Sequence, residues 1–91
     1  MLQVEYTAQF KRDLKLSKRR NKKLGSLHAI MSLTESEKPL SKKIKDHSLS
    51  GNWTGHRELH IEADWLLIYK IIPSQQTVIF VRTGTHADLF K

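Results

Sequence analysis

The sequence contains no cysteine. This absence excludes a disulfide-bonded scaffold, a thiol nucleophile and any zinc or iron–sulfur site held by cysteine. The chain also lacks an apolar run of the roughly 18 residues that a membrane-spanning helix needs, and its N-terminus has no basic segment followed by an apolar one. We therefore expect a cytosolic protein.

Glycine is scarce as well, with 4 residues in 91. Gly51, Gly55 and Gly84 stand apart from one another, so the chain has no glycine-rich loop for binding phosphates. Ser48 and Ser50 lie next to a histidine, but no G-x-S-x-G sequence surrounds them. These two absences disfavour a phosphate-loop protein and a serine hydrolase.

Acidic residues are few relative to basic ones. The chain has 16 lysines and arginines against 9 aspartates and glutamates, which gives a net charge of +7. The imbalance is concentrated in residues 1–45, which hold 12 basic and 4 acidic side chains. A basic half joined to a near-neutral half is typical of proteins that bind a polyanion, most simply a nucleic acid. A basic surface that serves only solubility is the simpler alternative.

The spacing of apolar residues predicts one α+β domain over residues 1–91. Helices are expected over 8–20 and 22–36, where apolar residues recur at helical spacing. Strands are expected at 3–6, 53–62, 65–72 and 77–83, and a last helical turn at 86–90. The expected architecture is a small antiparallel sheet with the two N-terminal helices packed on one side. The other face of the sheet would then be partly open as a binding surface.

The histidines suggest acid–base chemistry, because imidazole exchanges protons near neutral pH. Cleavage of an RNA phosphodiester requires a base for the 2′-hydroxyl, a cation for the developing negative charge and an acid for the 5′-oxygen. The residues of suitable chemistry near the ends of the predicted strands are His47, His60, Asp64, Arg82 and His86. Adjacent strands would bring several of them to one face. A lone histidine is nevertheless more often a structural or surface residue.

A metal centre is a second interpretation of the histidines. His56 and His60 are four residues apart, a spacing that on a helix would suit zinc. Their segment alternates like a strand, however, which separates the two residues by about 13 Å. We therefore expect no metal site and no cofactor.

The strand arginines and two aromatic residues each allow a structural and a functional interpretation. Arg57 and Arg82 would be costly to bury unpaired. Candidate ion-pair partners are Asp46, Glu58, Glu62 and Asp64. For Arg82, which directly precedes Thr-Gly-Thr-His, phosphate binding is the favoured interpretation. Trp65 and Phe90 either pack in the protein or stack on a base, and packing is the simpler expectation.

Three blocks of sequence carry a family resemblance. They read KDHxLxGxW over residues 45–53, RExHIxxDWLLIY over residues 57–69 and RTGTHxxLF over residues 82–90. In this order and at these spacings they resemble the YafQ group of RelE/ParE toxins, the toxin halves of bacterial type II toxin–antitoxin pairs. The resemblance extends over nearly the whole chain.

This resemblance implies a ribosome-dependent mRNA endoribonuclease, or mRNA interferase, which blocks translation by metal-independent acid–base cleavage through the 2′-hydroxyl. It implies an acid–base set made of His47, His60, Asp64 and His86. Within that set His86 would be the general acid, and the base is left open among the other three. The resemblance also implies RNA or phosphate contacts by Arg82, Trp65 and Phe90.

The implied partners are ribosome-bound mRNA with rRNA, and a cognate acidic antitoxin of DinJ or RelB type. Two other functions stay open. ParE-type toxins share the fold and inhibit DNA gyrase by binding, without a histidine acid–base set. An inactive toxin would serve only as antitoxin partner and co-repressor. The number of histidines and their positions favour the nuclease.

Overall fold

A five-stranded sheet forms the centre of the molecule, whose computed structural model describes residues 1–90. The strands lie in the order β1-β5-β4-β3-β2. Their bounds are Gln3–Tyr6 (β1), His47–Ser48 (β2), Arg57–Glu62 (β3), Trp65–Ile72 (β4) and Thr77–Gly84 (β5). Together with the helices described below, this sheet confirms the expected α+β fold.

The sheet is mixed, which corrects the expectation of a wholly antiparallel one. Strands β2 to β5 pair with their neighbours in antiparallel fashion. Strand β1 instead runs parallel to β5, with Gln3 opposite Thr77 and Tyr6 opposite Phe80. Most of the chain separates the two paired segments, so the pairing cannot be recognised from local sequence.

Two helices pack against one face of this sheet, and a short third helix follows its last strand. Their bounds are Ala8–Arg19 (α1), Leu24–Glu35 (α2) and His86–Leu89 (α3), close to the predicted ranges. Thr7 begins α1, because its hydroxyl accepts a hydrogen bond of 2.9 Å from the backbone N–H of Phe10. The same hydroxyl donates to the carbonyl of Val81 at 2.7 Å, which joins the start of α1 to β5.

Strand β4 is buried on both faces over its first five residues, as its nearly continuous apolar sequence predicts. Leu67 and Tyr69 belong to the larger core cluster, which also contains the buried apolar residues of α1 and α2. Leu66 and Ile68 face the opposite way and pack with Leu89 of α3 in a smaller cluster. The candidate site lies on this second face. Within the described residues, no helix is long and apolar enough to cross a membrane.

Strand β3 begins four residues later than predicted. Residues Gly51–Trp53 form one turn of 3-10 helix, and the strand starts only at Arg57. Gly55, between them, has a φ of +89°, a backbone conformation that glycine adopts at little cost. The resulting bend packs Trp53 against the smaller core cluster, beside the candidate site.

Candidate active site

A hydrogen-bond network around Asp46 fixes the segment that carries His47. The Asp46 carboxylate accepts hydrogen bonds from the Tyr69 hydroxyl at 2.6 Å and from Nε and Nη2 of Arg57 at 3.3 and 3.2 Å. Arg57 also donates to the hydroxyl of Ser48 at 3.1 Å. Burial and the bond to Asp46 raise the pKa of the Tyr69 hydroxyl, which therefore stays a donor. The ion-pair interpretation of Arg57 is confirmed, and its contacts lie on both sides of His47.

Glu58 lies between two histidines on the second face of the sheet. Its register partner on β4 is Ile68 and its partner on β2 is His47. Its carboxylate oxygens lie 3.6 Å from Nε2 of His47 and 3.7 Å from Nε2 of His60, and only 7% of the side chain is exposed. The sequence predicted Glu58 only as a possible ion-pair partner of Arg57 or Arg82, whereas in the structure it lies beside these histidines. Its two-residue spacing from His60 on a strand is the sequence signal for this arrangement.

A capping box places His86 at the first position of α3. The Thr85 hydroxyl accepts a hydrogen bond of 3.2 Å from the backbone N–H of Asp88, whose carboxylate accepts one of 3.0 Å from the backbone N–H of Thr85. Arg20, just after α1, donates to the same carboxylate at 2.7 Å and is the main reason that the pKa of Asp88 lies well below its ordinary value. Gly84 permits this close approach, because a Cβ there would lie 2.9 Å from Oδ2 of Asp88.

Asp64 holds the imidazole of His86. Its Oδ1 accepts hydrogen bonds from the backbone N–H of His86 at 2.9 Å and from ring atom Nδ1 at 2.6 Å. These bonds, the backbone one first, lower the pKa of Asp64, so the carboxylate is ionised at neutral pH. An ionised carboxylate can only accept, so the proton of this bond belongs to Nδ1, and Nε2 is left free for substrate. Asp64 is therefore placed to orient His86.

The rings of His60 and His86 meet where β3 and α3 approach each other. Their centroids are 5.8 Å apart, and the planes are tilted by 60°. All four predicted acid–base residues thus belong to one region: His47 and His60 flank Glu58, and His86 joins His60 to Asp64. Two imidazoles at this separation can face a single bound phosphodiester from different sides.

Two aromatic residues border the histidines. The ring of Phe90 lies 6.3 Å from that of His86 and 6.3 Å from that of Trp53, measured between centroids. Phe90 is 39% exposed, which suits the predicted contact with a base. Trp53 is only partly buried and is an additional candidate for that contact. His56 packs edge-on against Trp53 at 5.4 Å.

Trp65 does not have the exposed position that an RNA contact requires. Its side chain is 1% exposed and packs in the larger core cluster. The ammonium of Lys22 lies 5.8 Å from the centre of the ring. The expectation that Trp65 contacts RNA is therefore corrected, and the simpler packing interpretation describes its position.

Arg82 is paired with an acidic residue outside the set considered from the sequence. Its Nε and Nη2 donate to the two carboxylate oxygens of Asp13 at 3.1 Å each. Asp13 lies on α1, is 5% exposed, and also accepts a hydrogen bond of 3.1 Å from the backbone N–H of Thr83. Arg82 thus has an ion-pair role, and a quarter of its side chain (25%) is exposed for any further contact.

The sequence profile of one protein family matches residues 2–91. Its description is "Bacterial toxin of type II toxin-antitoxin system, YafQ". The chain belongs to this family. The resemblance carried by the three sequence blocks is thereby confirmed.

Similar proteins agree with membership of the YafQ family. The chain is 43% identical over 88 residues to the "mRNA interferase toxin YafQ" of Escherichia coli strain K12. The aligned region covers 96% of this chain and 94% of that one. The E. coli DinJ–YafQ toxin–antitoxin complex contains a chain of 42% identity with a TM-score of 0.89, over 99% of this chain and 98% of that one. A metal-bound toxin from Helicobacter pylori superposes with a TM-score of 0.93 at 37% identity, over 99% and 100% of the two chains.

Proposed function

We propose that this YafQ-family toxin is an mRNA interferase that cuts message on the ribosome. The observation that carries the proposal is the Asp64–His86 pair facing His60, an oriented histidine beside a second one. The name of its E. coli relative, an mRNA interferase toxin, supports the same activity. The reaction requires no group beyond the side chains of the site and the RNA itself.

The proposed reaction is an in-line attack by the ribose 2′-oxygen on the adjacent phosphorus. A base removes the 2′-hydroxyl proton as the bond from the 2′-oxygen to phosphorus forms. The bond from phosphorus to the 5′-oxygen breaks, and Nε2 of protonated His86 donates its proton to that oxygen. The products are a 2′,3′-cyclic phosphate and a 5′-hydroxyl end.

The base is His60 or His47 in this proposal. Asp64 is less suited to that role, because its Oδ1 already accepts two hydrogen bonds from His86. His60 is the better candidate of the two histidines, since its ring approaches that of His86. Nucleophile and leaving group lie on opposite sides of the phosphorus, so two separate imidazoles are needed.

Phosphate binding is assigned to Arg82. A guanidinium carries five N–H donors, and Asp13 accepts from two of its nitrogens. The donors that Asp13 does not use would meet the negative charge that develops on the phosphate oxygens. In this role Asp13 fixes the plane of the guanidinium before RNA arrives, which lowers the entropy cost of the contact.

The ribosome supplies what the toxin alone lacks. A net charge of +7 favours loose, salt-sensitive contact with any RNA, rRNA included. Cleavage additionally requires the scissile phosphate to be held in line with the attacking oxygen. We therefore expect little cleavage of free RNA and strong cleavage of a message in the decoding site.

An acidic antitoxin is the second proposed partner. The E. coli relative of known structure forms a complex with the antitoxin DinJ. This chain shares the fold of that relative and has 12 basic side chains in residues 1–45, a surface that attracts an acidic segment. We expect a DinJ-type antitoxin to bind the toxin and suppress cleavage.

The experiment that tests the nuclease maps the 5′ ends of a defined message on programmed ribosomes. Wild type is compared with His86→Ala and with His28→Ala, which alters an exposed histidine of α2 as a matched control. We expect cuts at a fixed position within the decoding-site codon for wild type and His28→Ala. Loss of the general acid should slow cleavage by about 10²- to 10⁴-fold.

Two outcomes would contradict the proposal. A folded His86→Ala variant that cuts as fast as wild type would remove His86 from the reaction. An intact message in cells that nevertheless stop growing with DNA damage would favour inhibition of DNA gyrase.

A further inference from the structure

The helix that carries His86 is too short to fix its own position. α3 spans four residues, whereas an isolated helix needs about 12–15 residues to be stable in water. Leu89 packs one side of α3 into the smaller core cluster, but His86 and the following Phe90 are both exposed. The position of the His86 ring therefore depends on contacts that hold the whole turn from outside.

Arg20 makes such a contact with α3. Its Nη1 donates to Oδ2 of Asp88 at 2.7 Å and its Nη2 donates to Oδ1 at 3.4 Å, so the guanidinium contacts both carboxylate oxygens. The same Oδ2 accepts the backbone N–H of Thr85 at 3.0 Å and thereby completes the capping box. Arg20 thus holds the carboxylate of Asp88 in an orientation that caps α3.

The backbone of Arg20 is itself fixed by the turn that ends α1. Asn21 has a positive φ of 59°, and its N–H donates to the carbonyl of Lys18 at 3.1 Å. The N–H of Lys22 donates to the carbonyl of Ser17 at 3.0 Å. These two bonds form a Schellman motif, which ends a helix at a defined residue. The side chain of Arg20 therefore extends from an ordered support.

A second ion pair joins α1 to the strand that precedes α3. Asp13 of α1 accepts hydrogen bonds from Arg82 of β5 and from the backbone N–H of Thr83, all at 3.1 Å. The two ion pairs have opposite polarity, because α1 supplies the carboxylate to β5 and the guanidinium of Arg20 goes to α3. Contacts from α1 therefore hold both ends of the segment 82–88, which contains His86.

We infer that Arg20 is a positioning residue, which fixes His86 for RNA cleavage through Asp88. This role rests on the proposed nuclease function. The two side chains are 41% and 24% exposed, so their ion pair should contribute little to the free energy of unfolding. Its effect falls instead on the geometry of the general acid, where a displacement of about 1 Å can lower a rate by about 10²-fold.

Cleavage rates over a range of message concentrations on programmed ribosomes test this role. Arg20→Gln should lower the maximal rate by about tenfold or more, with KM within about twofold of wild type and an unchanged melting temperature. Arg19→Gln removes the same charge one residue earlier, at the exposed end of α1, and is the matched control. It should reproduce any loss of general RNA affinity but not the loss of maximal rate. Arg20→Lys retains a charged donor and should recover part of the rate.

A double-mutant cycle tests whether Arg20 acts through Asp88. Asp88→Asn removes the ion pair but keeps an oxygen that can accept the N–H of Thr85. In that background, Arg20→Gln should cause no further loss of rate. Losses that multiply would overturn the inference, as would a rise in KM with an unchanged maximal rate, because Arg20 would then act on the RNA rather than on α3.

Side-chain ring resonances of the free toxin report the same coupling without any cleavage. Arg20→Gln should shift the resonances of His86 and Phe90 and leave those of His28, an exposed residue of α2, unmoved. Unchanged His86 and Phe90 resonances in the folded variant would overturn the inference even if the toxin is a nuclease. If the wild-type toxin never cleaves message while these resonances still shift, the proposed function is refuted and the coupling between Arg20 and α3 stands.

Discussion

At the scale of single residues, the site depends on partners that hold the histidines. Asp64 illustrates this, because its carboxylate accepts both the backbone N–H and Nδ1–H of His86. Such a contact fixes which ring nitrogen faces the substrate. A catalytic histidine with a free ring would spend part of its time in the wrong tautomer or orientation. In the proposed reaction, the rate therefore depends both on His86 and on the carboxylate that orients it.

Asp64→Asn should slow message cleavage without loosening the fold. The amide keeps an acceptor but removes the charged partner that orients the His86 ring, so we expect a fall in kcat of about tenfold or more and little change in KM. Because 63% of the Asp64 side chain is exposed, the melting temperature should stay near that of wild type. Single-turnover cleavage on ribosomes measures the rate.

Glu62→Gln is the control for this prediction, because it neutralises an exposed carboxylate on the same hairpin. Equal rates for both variants would show that the charge of Asp64 has no special role.

The sign of the pH effect follows from the lowered pKa of Asp64. The contact with His86 is present above the unfolded pKa of about 3.9 and is lost as the pH falls through the lower folded value.

Residue identities could be predicted from the sequence better than residue partners. The chemistry of RNA cleavage selects His47, His60 and His86 as candidates, because few side chains exchange protons near neutral pH. Asp13 could not be found in this way. It lies 69 positions from Arg82 along the chain, and nothing in the local sequence of either residue reveals the contact.

At the scale of elements, the strand register assembles the site. β2 has only two residues, and one of them is His47. A strand this short has little pairing energy of its own. Its position depends on the network that joins Asp46 to Arg57 on the adjacent strand β3 and to Tyr69 on the next strand, β4.

Tyr69→Phe should destabilise the protein and lower its activity. The change removes a hydrogen bond to an ionised carboxylate, which contributes about 1.5–3 kcal/mol, while the ring still fills the core. We expect the free energy of unfolding to fall by that amount in urea titrations. Cleavage should also slow, because the segment before His47 loses one of its two supports.

Tyr6→Phe is the matched control, since this tyrosine is 47% exposed and the change removes a hydroxyl without creating a cavity. Its free energy of unfolding should stay within about 0.5 kcal/mol of wild type. A similar loss for Tyr6→Phe and Tyr69→Phe would indicate that the Asp46 bond contributes nothing in particular.

The types of the elements could be predicted from the sequence, but the start of β3 and the pairing of β1 could not. β4 was predictable to the residue, since a short, nearly continuous apolar run is typical of a strand that is largely covered on both faces. The late start of β3 depends on a positive φ at Gly55, which alternation does not reveal. The parallel pairing of β1 depends on the far end of the chain.

At the scale of the whole molecule, charge separates into a binding half and a catalytic half. Exposed lysines and arginines cover α1, whereas the three histidines of the proposed acid–base set lie on β2, β3 and α3. A surface of this kind gains affinity for RNA mainly by releasing counterions. In the proposed function this surface draws the toxin to RNA in general, and the histidine site cleaves the phosphate that the ribosome holds in line.

Neutralising two lysines of α1 should reduce the salt dependence of RNA binding. Lys15 and Lys18 are both exposed, so the double change to glutamine removes two phosphate contacts at most. The slope of log K against log salt should become shallower by about 1.4, at roughly 0.7 per contact with a single strand. The slope is measured from binding to a non-cleaved oligonucleotide at several salt concentrations.

Lys70→Gln, at the end of β4, should leave the slope unchanged because that lysine lies outside the basic half. If Lys70→Gln flattens the slope as much as the α1 changes do, RNA binding is spread over the whole surface and the division into halves is wrong.

The pairing of β1 with β5 has a consequence for synthesis of the toxin. Four contacts join the first 20 residues to residues 77–88. They are made by β1, the Thr7 hydroxyl, Asp13 and Arg20. A growing chain therefore cannot complete its sheet edge, or place α1 against β5, until that last segment has been made. Contacts this distant along the chain also form late in folding. A nascent chain that still lacks residues 77–88 therefore has neither the completed sheet edge nor His86, and it cannot yet act on RNA by the proposed reaction.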